Sequence, residues 1–277
     1  MAKFATLIDT LALERIEVNL FRGVAPDDQG PRIFGGLVIG QALLAAYRTV
    51  EARVCHSLHC YFIRPGDPAV PILYDVDRSR DGKSFTTRRV TAIQHGAQIF
   101  NLAASFQIDI PGFEHQEPMP DVPAPATITD QTGEDGWRRD IEMRWVDGER
   151  WSEEPVVAAP RQNVWMRAVS SLPDEIAMQQ AALAYASDMS LLSTAMRPHA
   201  INWRTPGFQS ASLDHAIWFH RPSNFNEWHL YAQRSPSASG SRGFNLGEIF
   251  SADGELVAST AQEGLMRLYP AKESPRS

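Results

Sequence analysis

The sequence predicts an α+β protein made of two similar halves, each an antiparallel sheet wrapped around a buried helix. Three observations carry that expectation. Tyr61-Phe62-Ile63-Arg64-Pro65 is echoed by Trp218-Phe219-His220-Arg221-Pro222, an offset of 221 − 64 = 157 residues. Ile99-Phe100 and Ala104 face Leu256-Val257 and Ala261 at the same offset, and one register held across separated segments marks a duplicated unit of roughly 110 residues. The second observation is the run Leu37-Val38-Ile39, Ala42-Leu43-Leu44-Ala45-Ala46-Tyr47, which covers nearly the whole circumference of a helix, as a helix buried on most sides does. The third is that each half follows its helical stretch with four or five strand-like segments separated by turn residues. A duplicated protein can keep its core in both copies while confining its chemistry to one.

The elements follow in order. A first unit is assigned to residues 1–110. Phe34-Gly35-Gly36 opens its helix, expected over 37–50, and strands are expected at 57–64, 72–79, 84–94 and 98–108. The breaks between them hold Arg64-Pro65-Gly66-Asp67, Arg80-Asp81-Gly82 and His95-Gly96, turn chemistries that join antiparallel strands. Residues 111–160 change character: Pro118, Pro120, Pro123 and Pro125 cluster, and charged residues interleave with tryptophans without a period. That stretch reads as a surface linker with some order anchored by Trp137, Trp145 and Trp151. The second unit is assigned to 161–270, with a strand at 163–169, a helix at 174–186, and a second apolar helix at 189–196 stopped by Pro198. Strands are expected at 211–220, 228–235, 242–251 and 256–267, and 271–277 forms a tail.

Composition bounds the function. In 277 residues, 43% hydrophobic and 21% charged content is ordinary for a globular protein. A formal net charge of −7 argues against a general nucleic-acid or anionic-membrane binder, while leaving room for a local basic patch toward a phosphorylated ligand. No apolar run approaches the roughly 18–20 residues of a membrane span. The N-terminus has no secretory pattern and the C-terminal Ser274-Pro275-Arg276-Ser277 is no retention or peroxisomal address, so a cytoplasmic location is expected. Cys55 and Cys60, if on one strand, are odd-spaced and should face opposite ways, which disfavours a bridge.

Several chemistries lose ground. Gly82-Lys83-Ser84 ends like a phosphate-binding loop, but Asp77 stands where that loop needs glycine, and a hairpin turn is the simpler reading. No glycine-flanked serine elbow, no zinc-protease histidine pair, no cysteine-rich zinc site and no dinucleotide-binding glycine pattern occurs.

What remains resembles the acyl-CoA thioesterase II family of double hotdog proteins. The resemblance is carried by Leu20-Phe21-Arg22-Gly23, Phe34-Gly35-Gly36 with Gly40-Gln41-Ala42-Leu43, and His56-Ser57-Leu58-His59 leading to Arg64-Pro65-Gly66-Asp67. It continues through Arg89-Val90-Thr91-Ala92-Ile93-Gln94, Ala104-Ser105-Phe106-Gln107 and Gly112-Phe113-Glu114-His115-Gln116. In the second half it rests on Tyr185-Ala186-Ser187-Asp188, Leu213-Asp214-His215, Trp218-Phe219-His220-Arg221-Pro222 and Ala261-Gln262-Glu263-Gly264. It spans residues 12 to 268 and is weakest over the linker. The resemblance implies two hotdog sheets joined edge to edge, each around a long central helix, and a homo-oligomer. It also implies hydrolysis of fatty acyl-CoA to free acid and CoA with no metal, cofactor or covalent intermediate. The family's aspartate, hydroxyl and glutamine around one water fall on Asp188, Ser212 and Gln262; other members carry threonine where Ser212 stands.

Each of these residues has a plainer reading. Asp188, the one charged side chain between Met178 and Met196, should be partly desolvated and raised in pKa toward a useful base. On local sequence it reads first as an N-cap for a helix beginning at Met189, with Ser187 assisting, and both roles are compatible. Ser212 alone is an ordinary strand residue, and Gln262 a strand-edge amide. Their case is collective, resting on the intervals 212 − 188 = 24 and 262 − 212 = 50. His56 and His59 are odd-spaced and expected on opposite faces, with His56 read as structural or substrate-proximal, and Asp214-His215 likewise as strand neighbours facing apart. Arg64-Pro65 and Arg221-Pro222 read as architecture, and Trp218 and Phe219 as core ahead of an acyl tunnel, which such residues would also line. Two competing functions stay open: a hotdog hydratase or dehydratase, which needs a histidine with an acid or asparagine in the cleft, and a non-catalytic acyl-CoA binding protein.

Overall fold

A computed structural model describes residues 6–27, 30–128, 140–148 and 154–269. Its first half holds α1 (Leu7–Leu11), β1 (Leu13–Glu17), β2 (Leu20–Gly23), α2 (Gly35–Tyr47), β3 (Val54–Phe62), β4 (Ile72–Asp81), β5 (Phe85–Gln94) and β6 (Ala97–Gln107). The second holds β7 (Ile141–Trp145), β8 (Arg161–Ala168), α3 (Ile176–Ser187), α4 (Ser193–Met196), β9 (Phe208–Ser212), β10 (Asp214–Phe219), β11 (His229–Ser239), β12 (Arg242–Ser251) and β13 (Leu256–Leu268). All strands join one antiparallel sheet in the order β1-β2-β4-β5-β6-β3-β10-β13-β12-β11-β8-β7, with β9 pairing β13. The order reads the same from either end, and the two halves meet where β3 pairs β10, from Asp214 against Tyr61 to Trp218 against Ser57. The expected edge-to-edge double hotdog is what forms.

The helices explain the apolar runs. From Gly36 to Ala46 every residue of α2 is buried, as is every residue of α3 from Gln179 to Ser187. Neither helix has a polar face because each is covered by sheet on one side and by the other helix on the next. They pack antiparallel and very closely. A Cβ added at Gly36 would meet the Tyr185 carbonyl oxygen at 2.3 Å, and one at Gly40 would meet the Ala181 carbonyl oxygen at 3.1 Å. The start of α2 is thereby brought to the end of α3, which places the site.

Five expectations need correction. The helix expected over 189–196 is only α4; residues 189–192 turn instead, with Gln162 donating to the Ser190 carbonyl and the Ser193 hydroxyl, and Gln233 donating to the Ser190 hydroxyl. The strand expected over 211–220 breaks at Leu213 into β9 and β10, both on β13. The parity arguments on β3 fail because its register shifts between Cys55 and Ser57. Cys55 and Cys60 consequently both point inward, and both are free thiols. His56 and His59 both lie on the outer face, His56 bonded to Ser105 at 2.8 Å and His59 edge-on to Trp218. Trp218 is itself 37% exposed and not core, whereas Phe219 is buried.

The stretch read as a linker contains β7, an edge strand whose Trp145 is buried. Before it, the chain crosses the outside of the second half of the sheet, where Met119, Val122 and Ile128 pack on Trp165, Leu230 and Phe250. Trp137, Trp151 and the tail lie outside the described residues. The elements α1, β1 and β2 carried no legible signal; β1 buries only its first residue, so it has no period of two. No helix among the described residues is long and apolar enough to cross a membrane.

Candidate active site

The break at Leu213 has a structural consequence. Phe62 N–H still bonds the Leu213 carbonyl at 2.9 Å, but past that point β3 and β9 diverge. The gap they leave becomes a cavity of about 530 Å³ between the two halves, within the size range of small-molecule sites. Residues 31–35 and 62–66 of the first half form one wall, and 210–213 with Met189 and Leu192 form the other. Phe34, Val38, Phe62, Ile99 and Phe100 make much of the lining apolar.

Asp188 stands in this cavity as the C-cap of α3, and not as the N-cap of a following helix. Its position is settled by α3 running out against the start of α2. The Asp188 carboxylate receives the Ser212 hydroxyl at 3.0 Å and the Gln262 amide at 2.5 Å, both on Oδ1. Gln262 also reaches the Ser212 oxygen at 3.2 Å. The three side chains singled out in the sequence, one from a helix end and two from β9 and β13, therefore meet. Gln262 is 1% exposed and its side-chain oxygen has no partner among the described residues.

Burial raises the Asp188 carboxyl from 3.8 to about 6, while the bonds from Gln262, Ser212 and the Gly36 backbone N–H each pull it down. Asp188 touches the cavity and is not wholly enclosed, but its depth keeps bulk water from solvating the charge. The Gly36 bond places the carboxylate at the N-terminus of α2, where unsatisfied N–H groups and the helix dipole favour an anion. All three side chains come from the second half, yet the first half supplies the helix end that faces them. A Cβ at Gly35 would sit 2.6 Å from Asp188 Oδ2 and 2.8 Å from the Phe62 ring. The only trace of this in the sequence was a pair of glycines, poor helix formers, opening an otherwise strong helix.

Of the remaining candidates, only Arg64 lines the cavity. His215 is buried and does not line the cavity; it is bonded to the Ser187 hydroxyl at 2.9 Å, and burial pushes its pKa to about 3, so the ring is uncharged at neutral pH. Asp214 instead accepts the Glu263 N–H, and no dyad forms. Arg64 and Arg221 each donate to a carbonyl of the neighbouring strand, Gln98 at 2.6 Å and Leu256 at 2.9 Å, the architectural role expected of the repeat.

A partly apolar cavity at the seam of two hotdog halves, holding a carboxylate with hydroxyl and amide partners, is the arrangement of a small-molecule site. Comparison with known proteins narrows the class. Residues 149–265 match the acyl-CoA thioesterase family model and 25–107 the acyl-CoA thioesterase N-terminal domain. The chain is 40% identical to acyl-CoA thioesterase 2 of Haemophilus influenzae, over 94% of this chain and 96% of that one. It is 39% identical to human acyl-coenzyme A thioesterase 8, over 94% of this chain and 88% of that one. Among solved structures, an acyl-CoA thioesterase II from Mycobacterium marinum superposes with a TM-score of 0.83 at 42% identity, covering 95% of this chain and 99% of that one. The chain belongs to the acyl-CoA thioesterase family.

Proposed function

We propose that the protein hydrolyses fatty acyl-CoA to free fatty acid and CoA by direct attack of one water. The observation that supports this most is the convergence of Asp188, Ser212 and Gln262 in a chain of this family, with Asp188 and Ser212 lining the cavity and Gln262 buried and bonded to both. In this reading the Asp188 carboxylate takes a proton from the water as it attacks the thioester carbon. Ser212 and the otherwise unpartnered Gln262 oxygen orient that water. The positive end of α2 offsets charge on the carbonyl oxygen as the tetrahedral intermediate forms. Collapse breaks the carbon–sulfur bond, and protonated Asp188 returns its proton to the departing thiolate. Carboxylic acid and thiol are the products, so no external reactant beyond water is needed.

A hydratase would use a histidine in the cleft, and no histidine is among the described residues that line it. Incubating the purified protein with palmitoyl-CoA and following free thiol separates the remaining readings. Thiol release at catalytic turnover is expected; tight binding without release would leave a binding protein instead.

The hydroxyl at position 212 allows a second test. Ser212→Ala removes one donor to Asp188 and one acceptor for Gln262, and should lower kcat about tenfold, the worth of a hydrogen bond to a charged group. Ser212→Thr keeps the hydroxyl and should stay close to wild type. Equal losses in both variants, measured by thiol release, would assign the effect to packing and not to the hydroxyl.

A further inference from the structure

The rim of the cavity carries charge that the hydrolytic step does not use. Its charged lining residues are Arg32, Arg64 and Asp188. Asp188 is engaged by its three donors, whereas both arginines are exposed. Each guanidinium is anchored through one nitrogen to a backbone carbonyl, Arg32 to Ser210 at 3.0 Å and Arg64 to Gln98 at 2.6 Å. Among the described residues neither has an acidic partner, and the rest of each fork is open for a ligand.

The duplication supplies an internal control. Arg221, the repeat counterpart of Arg64, is anchored in the same manner to Leu256, yet it lies 3.9 Å from Glu114 and lines no part of the cavity. The shared anchor is architecture. Only the copy beside the cavity is left without an acid. In a chain of net charge −7, two cations on one rim form a local field that would attract a polyanion and repel little of what it must admit.

We infer that Arg32 and Arg64 form the subsite for the phosphates of the CoA carrier, holding its polyanionic end at the rim while the thioester reaches Asp188. A guanidinium presents paired N–H groups that match phosphate oxygens, and an anchored guanidinium has less freedom to lose on binding. The inference rests on the acyl-CoA reading above and adds which residues recognise the carrier.

The test compares palmitoyl-CoA with palmitoyl-pantetheine, which keeps the thioester and lacks the phosphates. Arg32→Gln, Arg64→Gln and the double variant are assayed beside wild type. For palmitoyl-CoA, KM should rise about tenfold per arginine, as expected when a charge-assisted hydrogen bond is lost, with kcat held. The same variants should show no such rise with palmitoyl-pantetheine. Adenosine 3′,5′-bisphosphate should compete with palmitoyl-CoA on wild type and lose that ability on the double variant. Arg64→Gln also removes an anchor to β6, so Arg32→Gln, whose anchor is to Ser210 of β9 in the other half, stands as the independent variant. Equal losses on both substrates, or none on either, overturn the inference. If wild type releases no thiol from either substrate, the acyl-CoA reading fails; if it does and the variants match it, only the arginine assignment fails.

Discussion

Replacing Asp188 with asparagine should leave a folded protein whose thioester hydrolysis is reduced by at least about a hundredfold, the low end of what a positioned general base contributes. Asparagine keeps the shape and can still accept from Ser212 and Gln262, but it cannot take a proton from water. Wild-type kcat/KM should fall with unit slope as pH drops below about 6, the value to which burial raises this carboxyl. The same shift has a stability consequence of definite sign. Between pH 4 and 6 the folded state holds a proton that the unfolded chain, titrating at 3.8, has released. Stability therefore declines as pH rises across that window and levels off above it, by at most about 3 kcal/mol for a shift of this size. Asp188→Asn removes the titrating group, so the stability of the variant relative to wild type should grow from pH 4 to pH 7. Urea denaturation of both proteins across that range measures it; a constant difference, together with wild-type turnover, would remove Asp188 from the mechanism.

Alanine at Gly36 should destabilise the protein by about 1–3 kcal/mol or more, the usual cost of overpacking a close contact. The new methyl would sit 2.3 Å from the backbone oxygen of Tyr185, and a backbone atom inside a buried helix has nowhere to yield. The two central helices would have to separate, carrying the end of α3, and Asp188 with it, off the start of α2. Gly35→Ala is the informative companion. Its methyl would press on the Asp188 side chain and the Phe62 ring, which are more mobile than backbone. A smaller stability loss and a larger loss in kcat are expected. Thermal melts and thiol-release rates on both variants decide the matter; wild-type melting of Gly36→Ala would mean that the helices are not in contact there.

Much of the fold was legible because its signals are local. The 157-residue repeat anticipated a sheet whose strand order reads identically from both ends. The central helix and most strands announced themselves through buried apolar runs and turn residues. Where reading failed, a non-local interaction had overridden a local one. Residues 189–192 look helical, but side chains from β8 and β11 capture the Ser190 backbone carbonyl and hydroxyl and hold the chain in turns. The strand through Leu213 looks continuous, but it must bend to leave room between the halves. On β3, one register shift inverts every parity argument upstream of Ser57. At the site, Asp188 could be suspected from its isolation among apolar residues, whereas Ser212 and Gln262 carried no local mark and were reached only through family resemblance.

By itself the chain determined its repeated units, their apolar cores and the identity of one unusually placed acid, since patterning and turn chemistry act between residues near in sequence. Tertiary packing alone decided that this acid ends its own helix against the first turn of the other, that Gly35 and Gly36 must be small, and that two arginines flank the opening. Those facts depend on which backbone atoms approach across the seam. Such contacts join residues 74 or 152 positions apart (262 − 188 and 188 − 36), and no short-range rule specifies them.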